Sequence, residues 1–264
     1  MIANEIVHVL VAPPDNLEAN LVKEAAKILN KDPYATRLIL CGKIPKLIGR
    51  YESIEEAELI TKRLKTLGLV AVVVKDNDLT ESPLTRFYAH ALKLGNRETA
   101  FFDKAGQQII LESKDVFLIL KGKLQLSNTN EVTTTSLKFN LTATLMTGGI
   151  PIWRKVKETT KGTSNEASYF VRIYNATSPE PRVEFFENYF DFSSLGPKIA
   201  PSSLVNFNSI ITELRTVFPQ ALFDDRLTQT SGTSKSTDKP ERDTELNCKF
   251  IYLYYQAKST SRQP

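Results

Sequence analysis

Over the first 78 residues, runs of β-branched residues alternate with apolar stripes at helical spacing, a pattern typical of a mixed α/β domain. One such stripe extends from Leu17 to Leu29 and predicts a helix. The strands are predicted at 5–11, 37–41, 46–51 and 69–75. With a helix after the first strand and another after the third, the order βαββαβ predicts a ferredoxin-like domain over residues 1–78.

The second predicted helix carries its own start and stop signals. Ser53 and Glu56 match a capping box, in which the serine and the glutamate satisfy each other's free backbone N–H groups. Gly68 suits the left-handed position that ends a helix. The stretch 51–74, YESIEEAELITKRLKTLGLVAVVV, is similar to the helix-then-strand pattern of several small regulatory and binding modules with this fold. The resemblance extends to the fold alone and implies no particular function.

A polar segment at 76–83, DNDLTESP, predicts a domain boundary, and short strand-like runs follow it. Seven strands are predicted, at 87–94, 97–103, 107–112, 116–126, 137–147, 168–174 and 182–188. Residues 103–106 predict a hairpin turn, and residues 159–165 an exposed loop. The second domain is therefore predicted to be β-rich and to cover residues 84–227.

One amphipathic helix, predicted at 202–218, closes this second domain. Its apolar stripe consists of Leu204, Phe207, Ile210, Ile211, Leu214, Val217 and Phe218. Ser202 or Ser203 is expected to cap the first turn, and Pro219 stops the helix. In element order the domain resembles the pleckstrin-homology-like superfold, a bent barrel plugged by a helix. An α+β domain with the same helix packed on an antiparallel sheet fits the pattern as well.

The C-terminal part changes from polar to strongly apolar. Residues 228–244 lack the apolar side chains needed to offset the entropy of ordering, so this segment is predicted to be flexible. Residues 245–258 are predicted to dock as a terminal element, and periodicity does not decide between a helix and a strand. The candidate partner-binding or self-docking residues are Phe250, Ile251, Tyr252, Leu253 and Tyr254.

Composition is that of an ordinary globular protein, with 41% hydrophobic and 24% charged residues. The net charge of +4 permits anionic partners without requiring them. Cys41 and Cys248 are far apart and in apolar contexts, so both are expected to be reduced core residues. No targeting segment or membrane span is evident, and these features together predict a cytoplasmic protein.

Few residues point to catalysis. His8 and His90 are the two histidines, both in strand-like runs, and the sequence has no HExxH, GxSxG, Walker or GxGxxG motif. Asp224 and Asp225, with Asp191 and Glu213 elsewhere, could ligate a divalent cation through hard oxygen atoms. The competing interpretation is a polar turn with a local ion pair to Arg226. No cofactor is predicted.

Basic residues suggest a second kind of site. A glycine pair after a strand can present backbone N–H groups to an anion, and cations follow it here. The candidate anion-binding residues are Gly148, Gly149, Arg154, Lys155 and Lys157. Trp153 beside them is interpreted as a packing anchor. Lys121 and Lys123 form a smaller basic patch, and nucleic-acid binding would need more interleaved aromatic residues than either patch has.

Three functional hypotheses follow from the sequence. The first is a non-catalytic cytosolic binding, adaptor or regulatory protein whose partners dock on exposed sheet edges or in a groove beside the capping helix, with self-association through the aromatic segment as one form of it. The second is an enzyme of unmarked type that uses carboxylates in an interdomain cleft. The third is binding of an anion, a phospholipid headgroup or a nucleic acid through the basic loop.

Overall fold

The computed structural model describes residues 6–79, 86–139, 153–229 and 240–260, and at 125–139, 153–167 and 240–242 it describes the backbone alone. The chain forms two compact units, one of residues 1–124 with 168–264 and one of residues 125–167. The side chains that the structure describes all lie in the first unit. Helices and several sheets are both present, so the predicted α+β class is confirmed.

A three-stranded antiparallel sheet with helices on one face forms the N-terminal part. Its elements are β1 (Val7–Val11), α1 (Ala19–Leu29), α2 (Pro33–Leu40), β2 (Lys46–Tyr51), α3 (Ile54–Thr66), β3 (Ala71–Lys75) and α4 (Asp76–Leu79). Strand β1 lies between β2 and β3 and pairs antiparallel with both. Because side chains alternate along a strand, Val9 and Val73 face the helices while Leu10 and Val74 face the opposite side.

The strand predicted at 37–41 is wrong, because residues 37–40 complete helix α2 and Cys41 follows as its C-cap. Asp32 caps this helix, since its carboxylate accepts a hydrogen bond of 3.0 Å from the backbone N–H of Ala35. Pro33 fits the first turn, where a helix needs no backbone donor. Asn30, at φ 48°, ends α1, and Asp32 and Pro33 begin α2. The sheet therefore has three strands instead of the four of the βαββαβ prediction.

Helix α3 and strand β3 confirm the predicted helix start at Ser53, its stop at Gly68 and the strand that follows; of the capping box, the structure shows the half made by the serine. The hydroxyl of Ser53 accepts a hydrogen bond of 3.3 Å from the backbone N–H of Glu56. Gly68 adopts φ +81°, and the chain then turns so that the N–H of Leu69 donates to the carbonyl of Leu64 at 3.2 Å. This tight turn places β3 directly against α3.

From Phe87 onward the chain forms two further sheets and two long helices. The elements are β4 (Phe87–Tyr88), β5 (Ala91–Leu94), β6 (Glu98–Phe102), β7 (Gln108–Glu112), β8 (Leu118–Phe139), β9 (Trp153–Tyr174), β10 (Val183–Phe186), α5 (Ser203–Val217), β11 (Leu222–Leu227) and α6 (Pro240–Thr260). Strands β5, β6 and β7 form an antiparallel meander. The other sheet has five strands in the order β11-β8-β9-β10-β4.

Three strand predictions in this region need correction. The strand predicted at 87–94 is two strands, because β4 pairs with β10 in the five-stranded sheet and β5 pairs with β6 in the meander. The strand predicted at 116–126 and the first residues of the one predicted at 137–147 belong to the single strand β8, and residues 140–147 lie outside the described residues. The loop predicted at 159–165 lies within β9. Residues 127–136, between the two predicted strands, and residues 159–165 are both polar and rich in threonine, so they favour a strand by β-branching without showing the apolar alternation on which the prediction relied.

Helix α5 matches the predicted capping helix and packs on one face of the five-stranded sheet. Phe207, Ile210 and Leu214 are fully buried there. The capping prediction is wrong in its detail, because Ser202 stands at the cap position without a side-chain hydrogen bond. Instead, the side-chain oxygen of Asn206 accepts from the N–H of Ala200 at 2.7 Å.

Periodicity did not decide between a helix and a strand for residues 246–255, and the structure shows that they belong to helix α6. This helix contacts the N-terminal sheet and the five-stranded sheet. Cys248, Ile251 and Tyr252 pack against the five-stranded sheet on the face opposite to α5. Phe250 packs against Leu10 and Val74 of the N-terminal sheet, on the face opposite to α1 and α3. Residues 240–244, predicted to be flexible, form the first turns of this helix, and residues 230–239 lie outside the described residues.

Candidate functional site

The predicted anion-binding loop falls mostly beyond what the structure describes. Gly148 and Gly149 lie outside the described residues. Arg154, Lys155 and Lys157 lie in strand β9, at positions where the backbone alone is described. Binding of an anion at these residues therefore stays a prediction.

The five predicted docking residues all lie on α6, where they contact their own chain. Phe250 packs against the N-terminal sheet, and Leu253 contacts both sheets. Ile251 and Tyr252 are completely buried against the five-stranded sheet. The ring of Tyr254 lies 4.9 Å from the guanidinium of an arginine on β11. Whether these residues also serve a partner or a second copy stays a prediction.

That arginine, Arg226, forms an ion pair with Asp224, the buried carboxylate on which the metal and enzyme hypotheses depend. Asp224 is buried, and its carboxylate accepts hydrogen bonds of 2.9 Å and 2.7 Å from the backbone N–H and the Nε of Arg226. Asp225 is exposed beside it. The guanidinium also donates to the carbonyl of Lys43 at 2.9 Å, so this ion pair joins β11 to the loop before β2.

The other catalytic candidates have local partners as well. The carboxylate of Asp191 accepts from the N–H and the hydroxyl of Ser193, each at 2.9 Å. The Nε2 of His8 lies 2.8 Å from the carboxylate of Asp76. The carboxylate of Glu213 accepts from Lys198 on the surface. Among the described residues, no three His, Cys, Asp or Glu side chains come together in a way that could hold a metal ion.

Lys121, from the smaller basic patch, is partly buried and lies 5.4 Å from the ring of Tyr169, while Lys123 lies 5.7 Å from the same ring. The ammonium of Lys121 donates to the side-chain oxygen of Asn208 on α5 at 2.6 Å. Burial lowers the pKa of Lys121, and the nearby carboxylates of Asp225 and Glu187 oppose that shift. This patch contains one aromatic ring and nearby acidic groups, an arrangement that does not favour nucleic acid.

A cluster of two arginines and two glutamates, buried except for one half-buried glutamate, has no counterpart among the predictions from sequence. This Arg–Glu cluster consists of Arg86, Arg172, Glu184 and Glu245. Glu184 accepts from Arg172 at 2.7 Å and from Arg86 at 3.1 Å. Glu245 of α6 accepts from the same two arginines, at 2.9 Å from the Nη2 of Arg172. The cluster therefore fixes the start of α6 to β9, to β10 and to the residue before β4.

Cys248 lies one turn further along α6 and is buried beside this cluster. Burial raises the pKa of the Cys248 thiol to about 12, so the thiol stays protonated at neutral pH. A protonated, inaccessible thiol is a poor nucleophile. The sequence correctly predicts Cys248 as a core residue, but the same prediction for Cys41 is wrong, because Cys41 is exposed at the end of α2.

A concave surface with polar groups lies along β3. This β3 groove has a volume of about 570 Å³ and lies between α3 and α6. It is lined by Glu58, Thr61, Lys62 and Lys65 of α3, by Val72 and Val73 of β3, and by Leu253, Gln256, Ala257 and Thr260 of α6. A groove of this size falls in the range of binding sites in proteins.

The outer edge of β3 forms the floor of the groove. The N–H of Ala12 donates to the carbonyl of Val70, and the N–H of Asp76 donates to the carbonyl of Ile6, both at 2.9 Å. The even-numbered residues of β3 thus bond to β1, and the alternation of an antiparallel ladder directs the N–H and C=O of Val73 away from β1. In the described part of the chain, no strand pairs with this outer edge.

The helical walls of the groove differ in charge. On the α3 side, Lys62 and Lys65 are exposed, and neither forms an ion pair with a residue that the structure describes. Thr61 is only 6% exposed, and its hydroxyl has no hydrogen-bond partner among the described residues. The α6 side carries no charge and presents Leu253 and Ala257. The groove thus combines the outward backbone groups of Val73 with a basic wall and an apolar wall.

Comparison with known proteins adds no further constraint: no family model, no curated protein and no solved structure matches this chain. None of the helices that the structure describes is long and apolar enough to span a lipid bilayer.

Proposed function

We propose that this chain is a non-catalytic cytosolic binding protein that captures an extended segment of a partner protein by strand addition in the β3 groove. The observation that carries the proposal is the outer edge of β3, which lies between two helices and pairs with no strand among the described residues. In strand addition, backbone hydrogen bonds supply much of the affinity and the pockets for alternate side chains supply the specificity.

The character of this edge supports the proposal. An exposed strand edge invites aggregation, and natural proteins blunt such edges with charges, proline or a covering element. Val73, in the middle of β3, supplies no such charge. Helices α3 and α6 flank the edge and leave space between them, an arrangement that would admit one added strand and hinder the approach of a second sheet.

The alternatives have less support. The enzyme hypothesis needs free carboxylates in a cleft, whereas the carboxylates of Asp224 and Asp191 are both occupied by neighbouring side chains. Binding of an anion, a phospholipid headgroup or a nucleic acid at Arg154, Lys155 and Lys157 would show a steep dependence on salt. The ferredoxin-like and pleckstrin-homology-like comparisons concern element order and do not select a function.

A proline at the outer edge of β3 tests the proposal. The full chain is used to select binders from a random peptide display library, and the selected peptides are measured by fluorescence anisotropy. Val73→Pro removes the outward N–H without removing a bond to β1, so we expect it to weaken binding at least tenfold. The matched control is Arg50→Pro, which alters the exposed edge of β2 on the other side of the same sheet and leaves binding unchanged.

A second variant protects the test against misfolding of the proline variant. Gln256→Trp fills the groove from an exposed position on α6, and Ser259→Trp places the same ring on that helix away from the groove lining. We expect loss of binding with the first and retention with the second. Selection of no peptide, or equal binding by the chain and both groove variants, would overturn the proposal.

A further inference from the structure

We infer that the segment bound in the β3 groove alternates acidic and apolar side chains, with the acidic ones against α3 and the apolar ones against α6. This inference rests on the proposed function and adds the chemistry of the partner. It follows from how the two faces of an added strand would meet the two walls.

An added strand continues the pleat of the sheet, so its successive side chains point alternately to the two faces. Val73 shows which face meets α3, because it packs into the core shared with α1 and α3. Val72 packs on the opposite side, with Phe250 and Leu253 of α6. Every second residue of the added strand therefore faces α3, and the residues between them face α6.

The α3 wall selects for carboxylates. Lys62 and Lys65 lie one turn apart, and neither is neutralised by a residue that the structure describes. Thr61, next to Lys62 in sequence, also lines the groove, and its own hydroxyl is buried. A carboxylate on the added strand would pair with the ammonium groups of the two lysines.

The same wall limits the number of acidic positions. Glu58 lies one turn before Lys62 and gives the far end of the wall a negative charge. The wall from Glu58 to Lys65 spans about 10 Å at 1.5 Å per residue, while side chains on one face of a strand repeat about every 6.7 Å. The wall thus accommodates two acidic side chains at positions i and i+2, at the end near Lys62 and Lys65.

The α6 wall selects for apolar side chains. Leu253 and Ala257 lie one turn apart on this wall, with the amide of Gln256 and the hydroxyl of Thr260 at its rim. None of these four side chains carries a charge that could pair with an acidic residue. The expected segment therefore has the pattern acidic–apolar–acidic–apolar, and its reverse-charged counterpart is disfavoured by the lysines.

Synthetic peptides test the pattern directly. The probes are fluorescein-labelled octapeptides with alternating glutamate and valine, with the same composition in two blocks, and with alternating lysine and valine. We expect the first to bind the full chain at least tenfold more tightly than either of the others.

Charge reversal provides the decisive control. Lys62→Glu combined with Lys65→Glu should exchange the preference, so that the lysine peptide binds more tightly than the glutamate peptide. Arg63→Glu reverses a charge on the same helix outside the groove lining and should leave the preference unchanged. An unchanged preference in the double variant would overturn this inference.

The same panel separates this inference from the proposed function. If peptides selected from the library lose binding with Val73→Pro but show no dependence on Lys62 and Lys65, the groove takes a strand of other chemistry, and only the acidic–apolar pattern fails. If those peptides bind the Val73→Pro and Gln256→Trp variants as well as the unaltered chain, both the inference and the proposed function fail.

Discussion

Glu184 is almost completely buried, with 1% of its side chain exposed, and it carries hydrogen bonds from two arginines. Removing a charge from water is costly, and a buried ion pair recovers the cost only when its geometry is good and its remaining donors are satisfied. The Arg–Glu cluster satisfies both carboxylates, while the Nε of Arg86 and Nη1 of Arg172 find no partner among the described residues. The cluster therefore contributes more to where α6 docks than to net stability.

Breaking this cluster should lower the free energy of unfolding far more than breaking an exposed ion pair. Glu184→Gln leaves two buried guanidinium groups with one carboxylate, and we expect a loss of about 3–5 kcal/mol in the free energy of unfolding, measured by urea denaturation. Glu213→Gln removes the partner of the exposed Lys198 and should leave the urea midpoint unchanged. Equal midpoints for the two variants would contradict this role for the cluster.

At the residue scale, the sequence predicted which apolar side chains are buried better than it predicted which charged side chains form ion pairs. Cys248 and the apolar stripe of α5 were correctly predicted as core, because the apolar character of a side chain by itself predicts burial. The Arg–Glu cluster was missed because its members are separated by up to 159 residues, and no local pattern announces such a contact. The signal that existed was weaker: Arg172 and Glu184 are charges inside otherwise apolar strands.

At the scale of elements, α6 explains why periodicity failed for residues 246–255. A helix that packs against one sheet shows a stripe, but α6 packs against two sheets, so apolar residues surround it and neither period dominates. The prediction for α2 failed for another reason: a short apolar run such as residues 38–40 does not distinguish a strand from the end of a helix, and the start signal of this helix lies earlier, at Asp32 and Pro33. The β3 groove was foreseen only as an unspecified sheet edge, since walls made by α3 and α6 require the tertiary fold.

The docking of α6 can be followed through its buried thiol. In a Cys41→Ser background, we expect no rapid reaction of Cys248 with a disulfide reagent at pH 8, because the thiol is buried and protonated. Ile251→Ala removes a fully buried side chain of α6, at a cost of about 2–5 kcal/mol, and should accelerate labelling at least tenfold. Ser259→Ala, at an exposed position of the same helix, should not. Rapid labelling without the Ile251 substitution would show that α6 is not docked in solution.

At the scale of the whole molecule, the buried thiol of Cys248 and the buried phenol of Tyr174 predict that the stability of the fold decreases at alkaline pH. Burial raises the pKa of Cys248 to about 12 and raises the pKa of Tyr174 as well. Below pH of about 8.5 the folded and unfolded chains both keep these protons, so they add no pH dependence. Between pH of about 8.5 and 10 the unfolded chain releases the thiol proton, and the free energy of unfolding should fall by up to about 1.4 kcal/mol per pH unit; at higher pH the tyrosines with raised pKa, Tyr174 among them, steepen the fall.

Urea denaturation between pH 8 and 11 measures this decline. Cys248→Ala removes the contribution of the thiol and should make the slope of stability against pH shallower, while leaving the part due to Tyr174. A slope that is the same with and without the thiol would show that Cys248 titrates normally in the folded chain, and hence that it is not enclosed between α6 and the five-stranded sheet.

The position of α6 in the chain also has a consequence for synthesis. The two sheets that α6 covers are translated before it. Their apolar residues under the helix therefore stay uncovered until residue 260 has left the ribosome; they include Leu10 and Val74 on one sheet and Leu118 and Tyr174 on the other. Uncovered apolar surface on a nascent chain is prone to aggregate and is the kind of surface that chaperones bind. Ribosome-bound chains stalled before residue 240 should therefore recruit chaperones, and release of the completed helix should end that association.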